Sequence, residues 1–351
     1  MDSYRTFVRT FLMLTVLPVW AIIAMNAYVD PLWYRGGNKF SGLNPSYQER
    51  IAKLNLFLKS AGSYDCIIFG GSTMATLNAT LIKGHRCFNF SFAMGNIREF
   101  TLYAKYIKAL GLSPSLIIVA VDRFAFTKQA VSTSDVLEEV VELKAPPSMV
   151  ETYLSLNMLK FSWDRITLPM KGDRYYYDKD FKGVMSVATP FKPTQSIIDL
   201  WPNDPRELFP VSAENLEYVK ELRSVFKSAE FVGVAPYRSA WVSAKMKLSG
   251  VLEPTLRLIY QSGKVFDRFY DFTAPSEVSM LTDDTYDGFH YGMKTKIHEI
   301  EEINGDSRNN TLHVHEETFE EYDSEYNRRV DAFIRRYNIT RASVRCVIRC
   351  E

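Results

Sequence analysis

Two short motifs carry residue types and spacings suited to acyl chemistry. The first is Phe69-Gly70-Gly71-Ser72-Thr73-Met74, which follows the apolar run Asp65-Cys-Ile-Ile-Phe69. A hydroxyl on a glycine-supported turn at the end of a strand stands clear of the sheet, beside backbone amides that can hold an anion. Taken alone, the motif reads equally as a plain tight turn or a phosphate loop. The Gly-x-Ser-x-Gly elbow is not met, because Met74 occupies the place of its last glycine, and no Gly-Lys-Ser/Thr follows as a Walker A loop requires. The second motif is Tyr286-Asp287-Gly288-Phe289-His290. A serine that attacks an acyl group needs a base to take its proton, and that base needs a carboxylate to fix its tautomer. Asp287 and His290, i and i+3, can project from one turn, although the same spacing suits an Asp cap beside a surface histidine.

The elements that must position these motifs follow an α/β rhythm. Ser46-x-x-Glu49 has the form of a capping box ahead of Ile51, Leu54, Phe57 and Leu58 at helical spacing. Short apolar runs at 65–69, 87–90, 116–121, 230–235 and 265–272 read as buried parallel strands. Helical patterns at 97–110 and 216–225 lie between them, which implies βαβ units in a three-layer sandwich. Residues 127–210 break the rhythm with a helical pattern at 149–163, then Tyr175, Tyr176 and Tyr177, then Pro190, Pro193, Pro202, Pro205 and Pro210. This stretch reads as an insertion at the C-terminal edge of the sheet, where open α/β sheets bind ligands. Its tyrosines with Trp201 suit either stacking on sugar rings or packing within an aromatic-rich subdomain. A polar tail, 311–351, carries a helical pattern at 322–337 and is expected on the outside.

The N-terminus is different in kind. No charge occurs from Thr10 to Val29, about the ~20 residues that a bilayer core requires. Trp20, Tyr28, Trp33 and Tyr34 fall where interfacial aromatics sit. A cleaved signal peptide is the rival reading, but Ala24-Met25-Asn26 is a poor small-x-small site. Arg5 and Arg9 precede the segment while Arg35 and Lys39 follow it, so the positive-inside bias is slight. The expected topology is a cytoplasmic N-terminus, an anchor over 1–30 and the remainder outside.

With the serine turn after the first strand and Asp-x-x-His after the last, the chain resembles the SGNH (GDSL-like) hydrolases. Asp65-Cys-Ile-Ile-Phe-Gly-Gly-Ser72 resembles the block that carries the nucleophile. Asn89-Phe-Ser-Phe-Ala-Met-Gly95-Asn96 resembles the block whose glycine N–H donates to the oxyanion hole, and Asp287-Gly-Phe-His290 the block of acid and base. The resemblance implies a three-layer α/β/α flavodoxin-like SGNH fold with a central parallel sheet over 31–310, preceded by one transmembrane helix. It also implies catalysis by Ser72, Asp287 and His290, with Ser72, Gly95 and Asn96 as oxyanion donors. One block departs from the family. Where the family has Gly-x-Asn-Asp, this chain has Ala120-Val121-Asp122-Arg123. An ionised Asp122 accepts and cannot donate, and a lost oxyanion donor costs about 10²–10³ in rate. Either the amides of Ser72 and Gly95 suffice, or Asn96 or Arg123 substitutes, or the site is weak. Asp122 also reads as a partner of Arg123 or as a helix cap.

The anchor, Asp30-Pro31, the Leu43-Asn44 loop and a helix with Arg50 and Lys53 are similar to membrane-anchored SGNH-like proteins of bacterial exopolysaccharide clusters. These are related in architecture to alginate O-acetylation and teichoic-acid D-alanylation proteins. That likeness implies a serine acyltransferase or esterase of O-acetyl type at the periplasmic face of the inner membrane. Its substrate would be a cell-surface polysaccharide, its partner a membrane-bound acyltransferase, and it would need no cofactor and no metal. The alternative is a non-catalytic glycan-binding or assembly module.

Composition excludes other classes. The 42 Lys and Arg against 41 Asp and Glu give a net charge of +1, which argues against a nucleic-acid binder. Hydrophobic residues at 46% rule out a disordered chain, and a mean hydropathy of −0.14 rules out a polytopic membrane protein. Four cysteines exclude a disulfide scaffold; Cys66 and Cys87 read as small hydrophobes within strands, and Cys346 and Cys350 allow no pairing to be deduced. His313 and His315 alternate as on a strand, without a ligand set for zinc, and His85 and His298 read as surface residues.

Overall fold

The computed structural model describes residues 2–37, 43–44, 48–122, 148–167, 174–178, 182–193, 214–307, 311–315 and 317–340. Along the chain these form α1 (Asp2–Val29), β1 (Leu43–Asn44), α2 (Glu49–Leu58), β2 (Cys66–Phe69), β3 (Cys87–Asn89), α3 (Ile97–Ala109) and β4 (Leu116–Ala120). They continue as α4 (Met149–Leu154), α5 (Leu156–Thr167), β5 (Arg174–Asp178), β6 (Gly183–Ser186), α6 (Asn215–Val225), β7 (Glu230–Ala235) and α7 (Ala240–Leu248). The last are α8 (Leu252–Gly263), β8 (Arg268–Asp271), α9 (Met293–Ile303) and α10 (Phe319–Arg336). The chain divides into two compact units. One is Met1–Ser60 with Ala145–Lys171 and Tyr176–Lys182, and the other is Ala61–Lys144 with Gly172–Tyr175 and Gly183–Glu351.

In the first unit, α1 is long and apolar enough over Ser3–Val29 to cross a membrane, and its most apolar window is not buried. Pro18 lies inside this helix, a residue that membrane helices tolerate better than soluble ones. The helix ends at Asp30, whose backbone takes a left-handed φ of 47°. The fully buried Asp30 carboxylate then gathers the loop around itself. Its Oδ1 accepts from the Tyr34 amide at 2.9 Å and the Tyr153 hydroxyl at 2.9 Å. Its Oδ2 accepts from the amides of Arg35, Gly36 and Gly37 at 2.8, 3.0 and 2.9 Å. Charge-assisted bonds of this kind are about twice as strong as neutral ones, so α1 is joined to the loop through one side chain.

The expected capping box of α2 is not the one that starts it. Gln48 precedes Glu49 in the left-handed region without a side-chain cap, and Ser46 lies outside the described residues. Glu49 instead turns inward, accepting from the Tyr177 hydroxyl at 2.6 Å, while the Lys53 ammonium sits 4.9 Å over the Tyr177 ring. Burial lowers the Lys53 pKa to about 7, against the pull of the Glu49 carboxylate. Tyr176 and Tyr177 are therefore packing residues and offer no free face to a sugar; Trp201 and the side chain of Tyr175 lie outside the described residues. The helical pattern at 149–163 resolves into α4 and α5, broken at Ser155.

The second unit is built on a parallel five-stranded sheet of order β3-β2-β4-β7-β8. All five expected strands are present. β8 begins later than the apolar run suggested, because Val265 and Phe266 turn back onto Ser262 and Gly263. β2 and β4 are buried at every position, as continuous apolar runs covered on both faces must be. On one face Phe69 stacks on Phe90 and on Phe100 of α3. On the other, Cys66, Ile68, Ile118 and Val232 pack with Ile300 and Ile303 of α9. Helices thus cover both sides. The polar tail is only partly external: Tyr322, Tyr326, Val330 and Phe333 of α10 are buried, and the Tyr322 hydroxyl donates to Asp271 at the end of β8 at 2.5 Å.

One sequence expectation is overturned. Cys66 and Cys87 are joined as a disulfide and are not free thiols. They begin β2 and β3 and face each other in register, which is the reason they pair. Closing this loop, with its sequence separation of 21, restricts the unfolded chain by about 3 kcal/mol. The double variant Cys66→Ala/Cys87→Ala is expected to lose about that much stability by denaturant titration, and dithiothreitol is expected to reproduce the loss in the native chain alone. Cys346, Cys350 and the arginines of 341–349 lie outside the described residues.

Candidate active site

Counted within the sheet, the strand order is 2-1-3-4-5, so the first strand, β2, feeds β3 on one side while β4 lies on the other. The crevice at the carboxyl ends of β2 and β4 is where such sheets place ligands. Ser72 emerges there. It opens a short 3-10 turn, Ser72–Met74, with Gly71 extended ahead of it. Gly70 is required by close approach: a Cβ there would lie 2.7 Å from Met74 Cβ and 2.8 Å from Ser91 Oγ. Gly71 has no such crowding, its nearest neighbours being backbone atoms of Gly95 at 3.9 and 4.0 Å.

The loop after β8 brings the second motif to the same place. Asp287 Oδ1 accepts from the amides of Phe289 and His290 at 2.9 and 2.8 Å, which folds the loop into one tight turn. Gly288 takes a φ of +81° to allow it. Asp287 Oδ2 then lies 2.6 Å from His290 Nδ1, and His290 Nε2 lies 2.8 Å from Ser72 Oγ. Burial opposes the charged form of Asp287, but the hydrogen bond and charge of the imidazole and the two amides outweigh it, holding the carboxyl below its ordinary range. An ionised carboxylate only accepts, so Nδ1 carries the proton and Nε2 is left as acceptor for the serine hydroxyl. Asp287 and His290 side chains remain 14% and 22% exposed, so a solute can reach them.

Three further contacts hold the geometry. The Tyr286 ring lies parallel to the His290 imidazole, 4° apart in plane and 5.6 Å between centroids. The Thr76 hydroxyl, two residues past the turn that begins at Ser72, donates to the Tyr291 carbonyl at 2.8 Å. Residues 183–193 brace the ends of both motifs: Gly183 packs on Ala75 and Thr76 just after the serine turn, and the Phe191 amide donates to the carbonyls of Thr285 and Thr282 at 2.9 and 3.2 Å while its ring lies beside Gly288. A Cβ on Gly183 would stand 2.1 Å from the Ala75 carbonyl oxygen, so backbone must move. Gly183→Ala is therefore expected to displace Ser72 from His290 and lower turnover about 10²-fold, read in kcat, with a smaller change in KM. No motif in the sequence marked Thr76, Gly183 or Phe191; only Gly183, a glycine before an apolar strand, hinted at close backbone approach.

The expected oxyanion donors are placed less simply. Gly95 is buried beside Gly71, but its N–H donates to the Phe92 carbonyl at 3.1 Å. Asn96 caps α3: its Oδ1 accepts from the Arg98 amide at 3.0 Å, and its own amide is held by Glu99. The amide of Ser72, at the start of its turn, has no acceptor within that turn. Asp122 follows β4, and its Oδ2 accepts from the Thr73 hydroxyl at 3.3 Å. It thus supports the residue after the serine, and Arg123 lies outside the described residues.

Comparison with models of known protein families finds none that matches this chain, and no curated protein matches its sequence.

Proposed function

We propose that the chain is a membrane-anchored serine acyltransferase or esterase that works through an acyl-enzyme on Ser72. The observation that carries this reading is the unbroken relay from Ser72 Oγ to His290 Nε2, at 2.8 Å, and from Nδ1 to Asp287, at 2.6 Å. Ser72 Oγ attacks the acyl carbon while its proton passes to Nε2. The Asp287 carboxylate stabilises the resulting imidazolium without itself taking the proton. The tetrahedral intermediate collapses as Nε2 returns the proton to the leaving alcohol, and an acceptor hydroxyl or water repeats the sequence in reverse. A sheet order shared with flavodoxin-like doubly wound folds supports the SGNH resemblance, as does the place of Ser72 at the switch point.

The resemblance to exopolysaccharide-cluster proteins supplies the substrate class, an O-acyl group on a cell-surface glycan, and a membrane-bound acyltransferase as donor partner. Two observations support a retained anchor with the site outside the cytoplasm. The buried Cys66–Cys87 disulfide suits an oxidising compartment. Asn26 and Asp30, at the end of α1, are bonded to Tyr153, Ser155 and Ser162, so cleavage near residue 25 would strip a hydrogen-bonded side chain from the unit.

A second reading, a non-catalytic glycan-binding or assembly module, is favoured by Asp122 in place of an oxyanion-donating Asn and by the engaged Gly95 amide. A fluorophosphonate probe on detergent-solubilised chain separates the two. The enzyme reading expects covalent labelling on Ser72; a folded chain that takes no label establishes the module.

A further inference from the structure

The exposed apolar surface of this protein does not end with α1. The short helices α4 and α5 form a hairpin that seats on the last turns of α1. Asn26 Nδ2 donates to the carbonyls of Tyr153 and Ser155 at 2.8 and 3.3 Å, and the Ser162 hydroxyl donates to Asn26 Oδ1 at 2.9 Å. Met158, Ser162 and Arg165 form the buried face of α5. The opposite face is apolar and open: Leu156 and Trp163 are 70% and 58% exposed, and Ile166 is exposed beside them. At 3.6 residues per turn these three side chains fall within an arc of about 80°. Val150 and Leu154 of α4 are exposed as well, and Lys160 is the cation at the border of the α5 stripe.

We propose that this hairpin lies in the outer membrane interface, with the Leu156, Trp163 and Ile166 stripe dipped into the boundary between headgroups and acyl chains. The inference rests on the reading of α1 as a membrane anchor. Its geometry follows from length. A helix of 28 residues is about 42 Å long, and a hydrocarbon core takes about 30 Å of it. Side chains of α1 are exposed up to Ala21, with Val8 half-buried, and burial against the rest of the unit begins at Ile22. The hairpin therefore grips the C-terminal end of the charge-free stretch Thr10–Val29, at the outer boundary of the core, and its Asn26 and Asp30 contacts satisfy the polar groups that arrive there. An exposed Trp with a Lys beside an apolar stripe is what interfacial helices carry. The occupant of the stripe is lipid because α1, to which the hairpin is hydrogen-bonded, fixes where the bilayer surface must be.

The test uses the full chain with Cys346→Ser and Cys350→Ser, reconstituted in vesicles of phosphatidylethanolamine and phosphatidylglycerol. A spin label is placed at Trp163→Cys, at Asn157→Cys on the polar flank, or at Leu14→Cys in α1, with near-UV circular dichroism as the check of folding. Collision with oxygen is compared with collision with a water-soluble nickel chelate. The proposal expects oxygen to dominate several-fold at position 163, nickel to dominate at 157, and oxygen alone to be effective at 14. A lipid-exposed label at 14 with a water-exposed label at 163 overturns the interfacial hairpin and leaves the anchor standing. Water exposure at both positions overturns the anchor and the hairpin together. A label at 163 shielded from both reagents means that protein covers the stripe, and the lipid assignment is overturned.

Discussion

Ser72→Ala is expected to lower hydrolysis of an activated acetyl ester by a factor on the order of 10⁴ to 10⁶, and His290→Ala to lower it comparably. The reason is the single proton path through the 2.8 Å contact between them. Without the imidazole, the hydroxyl has no acceptor positioned for its proton; without the hydroxyl, the imidazole has no nucleophile to activate. Removing both therefore costs little more than removing one, and the double variant is expected within about tenfold of the singles. The measurement is kcat/KM for 4-nitrophenyl acetate in detergent, with folding checked by thermal denaturation. Multiplicative losses in the double variant would show that the two residues act separately and would sink the relay. Wild-type turnover no faster than the Ser72→Ala variant would return the chain to the binding-module reading.

Asp287→Asn is expected to cost about 10⁴ in kcat while leaving KM and the fold nearly unchanged. The neutral amide still receives the amides of Phe289 and His290 through its oxygen. Its nitrogen, turned towards Nδ1, then donates where the carboxylate accepted, and the imidazole proton is driven to Nε2, the wrong side for a base. The same carboxylate makes a prediction in pH. Its folded pKa lies below its unfolded value, burial being outweighed by the imidazole and the two amides. Its contribution to stability is therefore complete above about pH 4, the usual carboxylate range, and is lost as pH falls through the lower folded value. In Asp287→Asn the acid limb of the stability curve is expected to flatten. An unchanged acid limb would mean that the carboxyl gains nothing from the relay in the folded state.

The sheet and the three catalytic candidates were legible in the sequence for related reasons. Buried parallel strands are written as uninterrupted apolar runs, and Leu116–Ala120 is buried at every residue for that reason. Ser72 stands just past the end of β2, and the Asp287–His290 pair in the loop that follows β8, so the topology that places the strands brings both to one edge of the sheet. What supports the site was not legible. Phe191 acts through its backbone amide, which any residue type supplies, while the Thr76 hydroxyl and the bare Cα of Gly183 act on backbone that no local pattern places beside them. The disulfide was legible in principle. Two cysteines, each starting one of two adjacent parallel strands, must face each other, yet reading each run separately as apolar hid the pair. The Tyr176 and Tyr177 rings show the opposite limit: an aromatic cluster has the same composition whether it binds a sugar or, as here, is buried, with Tyr177 packed against Glu49 and Lys53.

The disulfide also orders events in time. Under the proposed topology the segment after α1 crosses the membrane in chain order, which would bring Cys66 and Cys87 to the oxidising side before Cys346 and Cys350. The first two thiols meet only each other, and their nearness in sequence makes loop closure cheap in entropy. Vectorial delivery thus removes the mispaired alternatives that four cysteines would otherwise sample. Refolding the same chain from denaturant under oxidising conditions lacks that protection, and its yield is expected to recover when Cys346 and Cys350 are replaced by serine.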